Sequence, residues 1–251
     1  MTWSEFRAML QGSKGCLIDS QRRLSFRELA AEADAFGESI EKELRENSAV
    51  GIYGRNSIDY LIVLFGLLSC GRTPVPLNTR LTPAERQAVL TQAGAQAYIQ
   101  SDKLSSAAER LCSIEQTIET RSATQSSIII CSSGSEGKVK AASLSLESFV
   151  RHARAVNEHL NVTESDHWLV YLPFFHVGGL TIPFRCALAS ANVTLLSTAD
   201  PELIEKAIET NGITLISMVA ASLEKLLDLR QDKPFPSHLR AIITGGGPVP
   251  S

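Results

Sequence analysis

The stretch "ADPELIEKAIETNGITLISMV", residues 199–219, constrains the fold more than any other part of the chain. Asp200 stands where a helix N-cap belongs, Pro201 suits the first helical position, and Asn211-Gly212 supplies a stop. An apolar run from Ile213 to Val219 follows, the pattern of a strand covered on both faces. A helix feeding straight into such a strand is half of a βαβ unit, and the same grammar precedes it. "HWLVYL" reads as a strand, "LTIPFRCALAS" as a helix with Pro183 in its first turn, and "NVTLLS" as the next strand. Alternation of this kind predicts an α/β protein of layered, mostly parallel sheets flanked by helices.

The first hundred residues repeat the pattern. In "LSFRELAAEADAFGESIEKEL", Leu24, Leu29, Ala33, Phe36 and Ile40 fall at roughly helical spacing, with Ser25 as N-cap and Glu28 closing a capping box. "AVGIYG" predicts a short buried strand, "SIDYLIVLFGLLSCG" a helix ending at glycine, "TPVPLN" an extended piece, and "TPAERQAVLTQAG" a helix opened by Pro83. Residues 101–127 are rich in serine and charge and read as a connector with one short helix. The expected organisation is a first α/β subdomain over 1–100, the connector, and a second α/β subdomain over 128–251 that is incomplete at its carboxy-terminal end.

Composition narrows the partners. With 251 residues, 44% of them hydrophobic and 20% charged, the chain can bury a sizeable core. A formal charge of −3 argues against nucleic acid or an anionic membrane as the main partner, since either favours a concentrated basic patch. The most apolar run, Tyr60 to Gly71, is too short to span a bilayer, and "MTWSEFRAML" lacks the apolar core of a signal peptide. Cys16, Cys70, Cys112, Cys131 and Cys186 are odd in number and widely spaced, which reads as reduced thiols in a cytoplasmic protein.

In parallel sheets, ligands bind beyond the carboxyl ends of the strands, so the loops there carry the functional reading. After the strand 127–131 come Ser132, Ser133, Gly134, Ser135, Glu136 and Gly137, then Lys138 and Lys140. Small hydroxyl side chains, permissive backbone and nearby lysines suit the wrapping of a phosphate chain. A solvated surface turn has the same composition, and neither G-x-x-x-x-G-K-[ST] nor G-x-G-x-x-G is matched. In "PFFHVGGL", Phe174 and Phe175 offer an apolar wall while Gly178 and Gly179 leave room beside His176. A core or helix-capping histidine is the alternative there. His152 and His159 are expected on a helix surface, and no H-E-x-x-H spacing points to a zinc site. "TGGGPVPS" after "LRAIIT" again exposes backbone. The absence of a G-x-S-x-G elbow argues against a serine hydrolase.

Taken in order, "SSGSEGKVKA", "YLPFFHVGGL", "ITLISMVAASLEKLL" and "LRAIITGGGPVP" resemble the amino-terminal part of the adenylate-forming enzymes, the AMP-binding acyl-CoA synthetase family. "LSFRELAAEADAFGESI", "VGIYGRNSIDYLIVLFGLLSCGRTPVPLNTRLTPAERQAVL" and "QAGAQAYI" are similar to it as well, so the likeness covers nearly the whole chain. The resemblance implies an acid–thiol ligase using ATP, Mg²⁺ and coenzyme A: a carboxylic acid is adenylated, then transferred to the thiol. It implies that Ser132 to Gly137 with Lys140 hold the β- and γ-phosphates, and that His176 borders the acyl-adenylate, with His176 and Lys140 as catalytic residues. It further places Gly245, Gly246, Gly247 and Pro248 along the adenine and acyl pocket. Gly178, Gly179 and Arg185 fall on the substrate, with Arg185 meeting an acidic group. Glu136, Val139 and Ala220 depart from the family pattern, and the motifs expected beyond Ser251 have no counterpart. The expectation is therefore an amino-terminal portion inactive alone, the rival being a non-catalytic nucleotide- or acyl-binding scaffold. Oligomeric state stays open, a homodimer included.

Overall fold

The computed structural model describes residues 1–101, 111–113, 126–133 and 139–246. The chain opens with α1 (Trp3–Gly12), the short strands β1 (Cys16–Ile18) and β2 (Arg23–Ser25), and α2 (Phe26–Ile40). Then follow β3 (Ala49–Tyr53), α3 (Ile58–Ser69), β4 (Thr73–Leu77), α4 (Pro83–Ala93), β5 (Ala95–Gln100) and β6 (Leu111–Ser113). A hairpin of β7 (Ser127–Ser133) and β8 (Val139–Ser145) leads into α5 (Leu146–Leu160). The last part alternates β9 (His167–Val170), α6 (Val177–Ala189), β10 (Asn192–Leu195), α7 (Pro201–Thr210), β11 (Leu215–Met218), α8 (Ala220–Arg230) and β12 (Ala241–Thr244).

The sequence-level caps account for most helix ends. Ser25 Oγ accepts from the Glu28 amide at 3.2 Å and the Glu28 carboxylate accepts from the Ser25 amide at 2.8 Å. Thr82 and Glu85 repeat the box on α4, which closes at Gly94 in the left-handed conformation. Asp200 caps α7 by accepting from the Glu202 amide at 2.9 Å. Such caps satisfy amides that have no partner within the helix.

Two sheets result. The larger has the order β12-β11-β9-β10-β1-β2, parallel except for the edge strand β2; the smaller has the order β4-β3-β5-β6, parallel except for β6. The early strands do not stay with their sequence neighbours. β1 pairs in parallel with β10, Leu17 opposite Val193, so residues from the first hundred complete the sheet built mainly after residue 160. Leu17 is fully buried, and this pairing gives a three-residue strand the cover it lacks alone.

An aromatic cluster joins the layers. Phe184 of α6 lies 5.0 Å from Phe6, 5.5 Å from Phe65 and 5.0 Å from Phe149 between ring centroids, tying α6 to α1, α3 and α5. This anchoring corrects one expectation. The helix begins at Val177, so Pro183 lies inside it rather than in its first turn. Packing of the buried neighbours Ile182 and Phe184 holds the helix through the missing amide. Among the described residues no helix is long and apolar enough to cross a membrane, and Cys16, Cys70, Cys131 and Cys186 are free thiols.

Candidate active site

Both sheets point the carboxyl ends of their parallel strands toward one region, and the loop after β9 passes between them. β9 ends at Val170, and Pro173, which has no amide to donate, cannot extend its ladder. Phe174 is buried 5.4 Å from the Tyr60 ring, and Phe175 is buried beside His176, with centroids 4.5 Å apart. The loop is pinned from the smaller sheet. Asn56 Nδ2 donates to the Leu172 carbonyl at 2.9 Å, and Asn56 Oδ1 accepts from the Phe174 amide at 3.0 Å. Asn56 is absent from the residues expected from sequence. Its only signal is a carboxamide in "YGRNS", just past the carboxyl end of an apolar strand.

His176 sits at the N-cap of α6 with no side-chain bond to the helix, and its ring is exposed. Contact with the loop and the charge of nearby Arg80 both lower its basicity, so the imidazole is neutral at pH 7. The two glycines that follow play different parts. A Cβ on Gly179 would stand 2.3 Å from the Leu172 carbonyl oxygen and 2.6 Å from that of Pro173, so only glycine lets the helix start against the loop. Gly178 has open space around it and lines a cavity.

That cavity, of about 420 Å³, lies between α5 and α6. Helical spacing builds it: Val177, Thr181 and Arg185 form one stripe of α6, and Ser148, Phe149 and His152 form the facing stripe of α5, with Leu144 of β8 closing it. Its walls are mostly apolar, and Arg185 supplies the positive charge. Arg185 is 7% exposed and lies 5.1 Å above the Trp168 ring. One terminal nitrogen donates to Thr181 Oγ1 at 3.1 Å and to His152 Nε2 at 3.0 Å, while Nε is buried without a partner. Burial pulls its pKa down to about 10. Arg230, equally buried, has the carboxylates of Glu205 and Glu209. Among the described residues no carboxylate faces Arg185. His152 lies exposed on α5, as expected from the sequence, and also borders this cavity.

A second, more polar cavity of about 520 Å³ opens at the carboxyl ends of β3, β4, β9 and β10. Arg55, Asn56, Arg80, Tyr171, Phe175 and Ser197 are among its walls. The loop 173–178 separates the two spaces, since Phe175 faces this one and Val177 the other.

The serine-rich segment lies on the hairpin. Ser132 pairs opposite Lys140, and Ser133 opposite Val139, so the strand runs two residues further than the sequence pattern suggests. Ser132 and Lys140 are exposed; Gly134, Ser135, Glu136 and Gly137 lie outside the described residues. Further down the hairpin, Leu144 reaches the apolar cavity. On the far side, the Gly245 amide donates to the Met218 carbonyl at 3.2 Å, and Gly246 adopts φ 84° beside Val219. The Val219 amide in turn donates to the Tyr171 hydroxyl at 3.3 Å, linking this glycine turn to the polar cavity's rim. Gly247 and Pro248 lie outside the described residues.

A mostly parallel α/β frame flanked by helices is the fold this chain shares with AMP-binding enzymes. The chain belongs to the AMP-binding enzyme family, whose model matches residues 5–251. Among its relatives, the 2-succinylbenzoate–CoA ligase of Bacillus cytotoxicus is 27% identical over 259 residues, covering 99% of this chain and 54% of the ligase. That of Bacillus pumilus is 27% identical over 266 residues, with the same coverage. The o-succinylbenzoate coenzyme A synthetase of Bacillus subtilis, solved with ATP and magnesium ion, superposes with a TM-score of 0.83 at 25% identity, covering 99% of this chain and 55% of that one. Its AMP complex gives 0.82 at 25% identity, covering 98% and 68%. The stretch "WLVYLPFFHVGGLTIPFR" carries the same likeness within the sequence. The chain spans about half the length of the curated relatives it matches.

Proposed function

We propose that this chain is the nucleotide- and acyl-binding portion of a carboxylate–CoA ligase, and that its acid bears a second anionic group, as 2-succinylbenzoate does. The observation carrying this reading is Arg185. A buried guanidinium without a carboxylate is costly, and an apolar cavity that keeps one is suited to an apolar acid with a negative charge.

In the proposed reaction the acid's reacting carboxylate attacks the α-phosphorus of ATP, forming the acyl-adenylate and releasing pyrophosphate. The thiol of coenzyme A then attacks the acyl carbon and AMP leaves. Ser132 through Gly137 and Lys140, at the hairpin's end, hold the β- and γ-phosphates in this reading. Neutral His176 borders the adenylate without adding charge, while Gly178 leaves room for the acyl chain and Gly179 lets α6 start against the loop. Gly245 to Pro248 lie along the adenine. The polar cavity, with Arg55 and Arg80, suits the phosphates of coenzyme A and lies across the histidine loop from the acyl group. Mg²⁺ serves to neutralise charge on the nucleotide phosphates. No three His, Cys, Asp or Glu side chains among the described residues gather to hold a metal, so these residues offer no cage for it.

Glu136 favours the other reading, a non-catalytic scaffold. A carboxylate about 4 Å from a phosphate oxygen costs roughly 4 kcal/mol at an effective dielectric near 20, as much as millimolar ATP binding is worth in all. Calorimetric titration with ATP, then AMP, separates the two. With the remainder of the ligase supplied, the ligase reading expects both to bind and 2-succinylbenzoate to drive exchange of pyrophosphate into ATP; binding of neither nucleotide to that well-folded complete protein removes it.

A further inference from the structure

Arg185 is held by two neutral acceptors, and one of them can change its charge. We propose that His152 is a positioning residue for the acyl site: its neutral imidazole fixes the Arg185 guanidinium for a doubly charged acid, and protonation of the ring releases it. The inference rests on reading the apolar cavity as the acyl site. A guanidinium has only donors, so at 3.0 Å His152 Nε2 must accept, which places the ring proton on Nδ1. Thr181 accepts from the same nitrogen one turn earlier on α6, and Trp168 underlies the plane. Thr181 and Trp168 hold the guanidinium from α6 and β9, and the bond to His152 ties it to α5. With one terminal nitrogen committed and Nε buried, the other terminal nitrogen remains for a ligand among the described residues.

The ring is exposed on its outer side, so protons reach it. Around it, α6 presents Arg185, β8 presents Leu144, and α5 itself presents Ser148. Arg151, the preceding residue, is paired with Glu147. Among the described residues Arg185 is the one charge that acts on the ring; burial and that charge both hold its pKa below 6.5. An imidazolium has no acceptor left and would stand as a second cation beside the guanidinium. The neutral, holding form therefore prevails above about pH 6.5 and is lost as the pH falls below its lowered pKa.

The test is calorimetric binding of 2-succinylbenzoate, and of its analogue lacking the ring carboxylate, together with ¹⁵N NMR of the His152 ring. Neutral His152 should show an unprotonated Nε2. Between about pH 7.5 and 5.5 the diacid should lose affinity several-fold, short of the roughly tenfold that an unshifted imidazole would give, while the analogue should not change. His152→Gln, whose Oε1 accepts without titrating, should keep the diacid within about threefold and abolish the pH dependence, whereas His152→Ala should weaken the diacid about tenfold at every pH. Both changes fall on an exposed helix position, so folding should survive them. A proton on Nε2 of the neutral ring, or a pH dependence that persists in His152→Gln, overturns the proposal. If wild-type protein binds neither acid while Nε2 is unprotonated, the acyl-site reading fails and takes this inference with it.

Discussion

Replacing Arg185 with methionine should separate stability from binding. Burial pulls its pKa down to about 10, well below the usual guanidinium range, which corresponds to roughly 3 kcal/mol against the charged form. The Trp168 ring returns about 1 kcal/mol and the bonds to Thr181 and His152 about 1–2 kcal/mol together, so the guanidinium is close to neutral for the unliganded fold. Methionine fills similar volume without a charge. The unfolding free energy of Arg185→Met in urea should stay within about 1 kcal/mol of wild type, while affinity for 2-succinylbenzoate falls by about thirtyfold, the loss of one charge-assisted bond. Arg230→Met is the control. It takes one partner from Glu205 and Glu209, which accept from Arg230 at 2.5 and 3.0 Å and keep Lys233 at 3.2 and 3.0 Å. It also removes the bonds to the Lys233 and Pro234 carbonyls, so it should cost about 2–3 kcal/mol. If Arg185→Met costs as much as the control, or leaves diacid binding intact, Arg185 is a structural residue and the assignment fails.

Asn56→Ala should cost about 2–4 kcal/mol in equilibrium unfolding, because it orphans the buried Leu172 carbonyl and Phe174 amide together. The adjacent glycines should respond with opposite signs: Gly178→Ala gains up to about 1 kcal/mol of helix propensity but narrows the apolar cavity, whereas Gly179→Ala loses about 1–3 kcal/mol. Thermal unfolding of the pair reads both. Burial pushes the Asp166 carboxyl up, but hydrogen bonds from Arg240, Thr214 and the Thr163 amide outweigh it and hold its pKa below the usual value. Its stabilisation is therefore present above about pH 3.9 and lost as the pH falls through the lower folded value, so Asp166→Asn should flatten the acid limb of the stability curve below about pH 4.

Local structure was legible because local chemistry decides it. The capping box at Ser25, the Pro83 start and the Asp200-Pro201 start are each written within a few residues, and the helices form where those signals stand. Long-range pairing was not. Three residues around Leu17 carry no address, and only the sheet's need for a partner beside Val193 sets their place. Pro183 misled because its local effect, a helix start, is overridden by the packing of Phe184. At the site, His176 and the glycine pair were visible as a cluster in sequence. Asn56 and His152 were not, since each acts across more than thirty residues of chain on one or two atoms. Arg185 was legible through family resemblance, and its lack of a carboxylate only through burial.

Where the acyl group lies decides between this reading and its rivals. A crystal structure with a non-hydrolysable adenylate of 2-succinylbenzoate should show the free carboxylate within hydrogen-bond distance of Arg185, the acyl chain along Gly178 and the phosphate facing the end of the β7–β8 hairpin. An acyl group lodged instead beside Arg55 and Arg80, or a hairpin end closed with the Glu136 carboxylate where the phosphate should be, would contradict it.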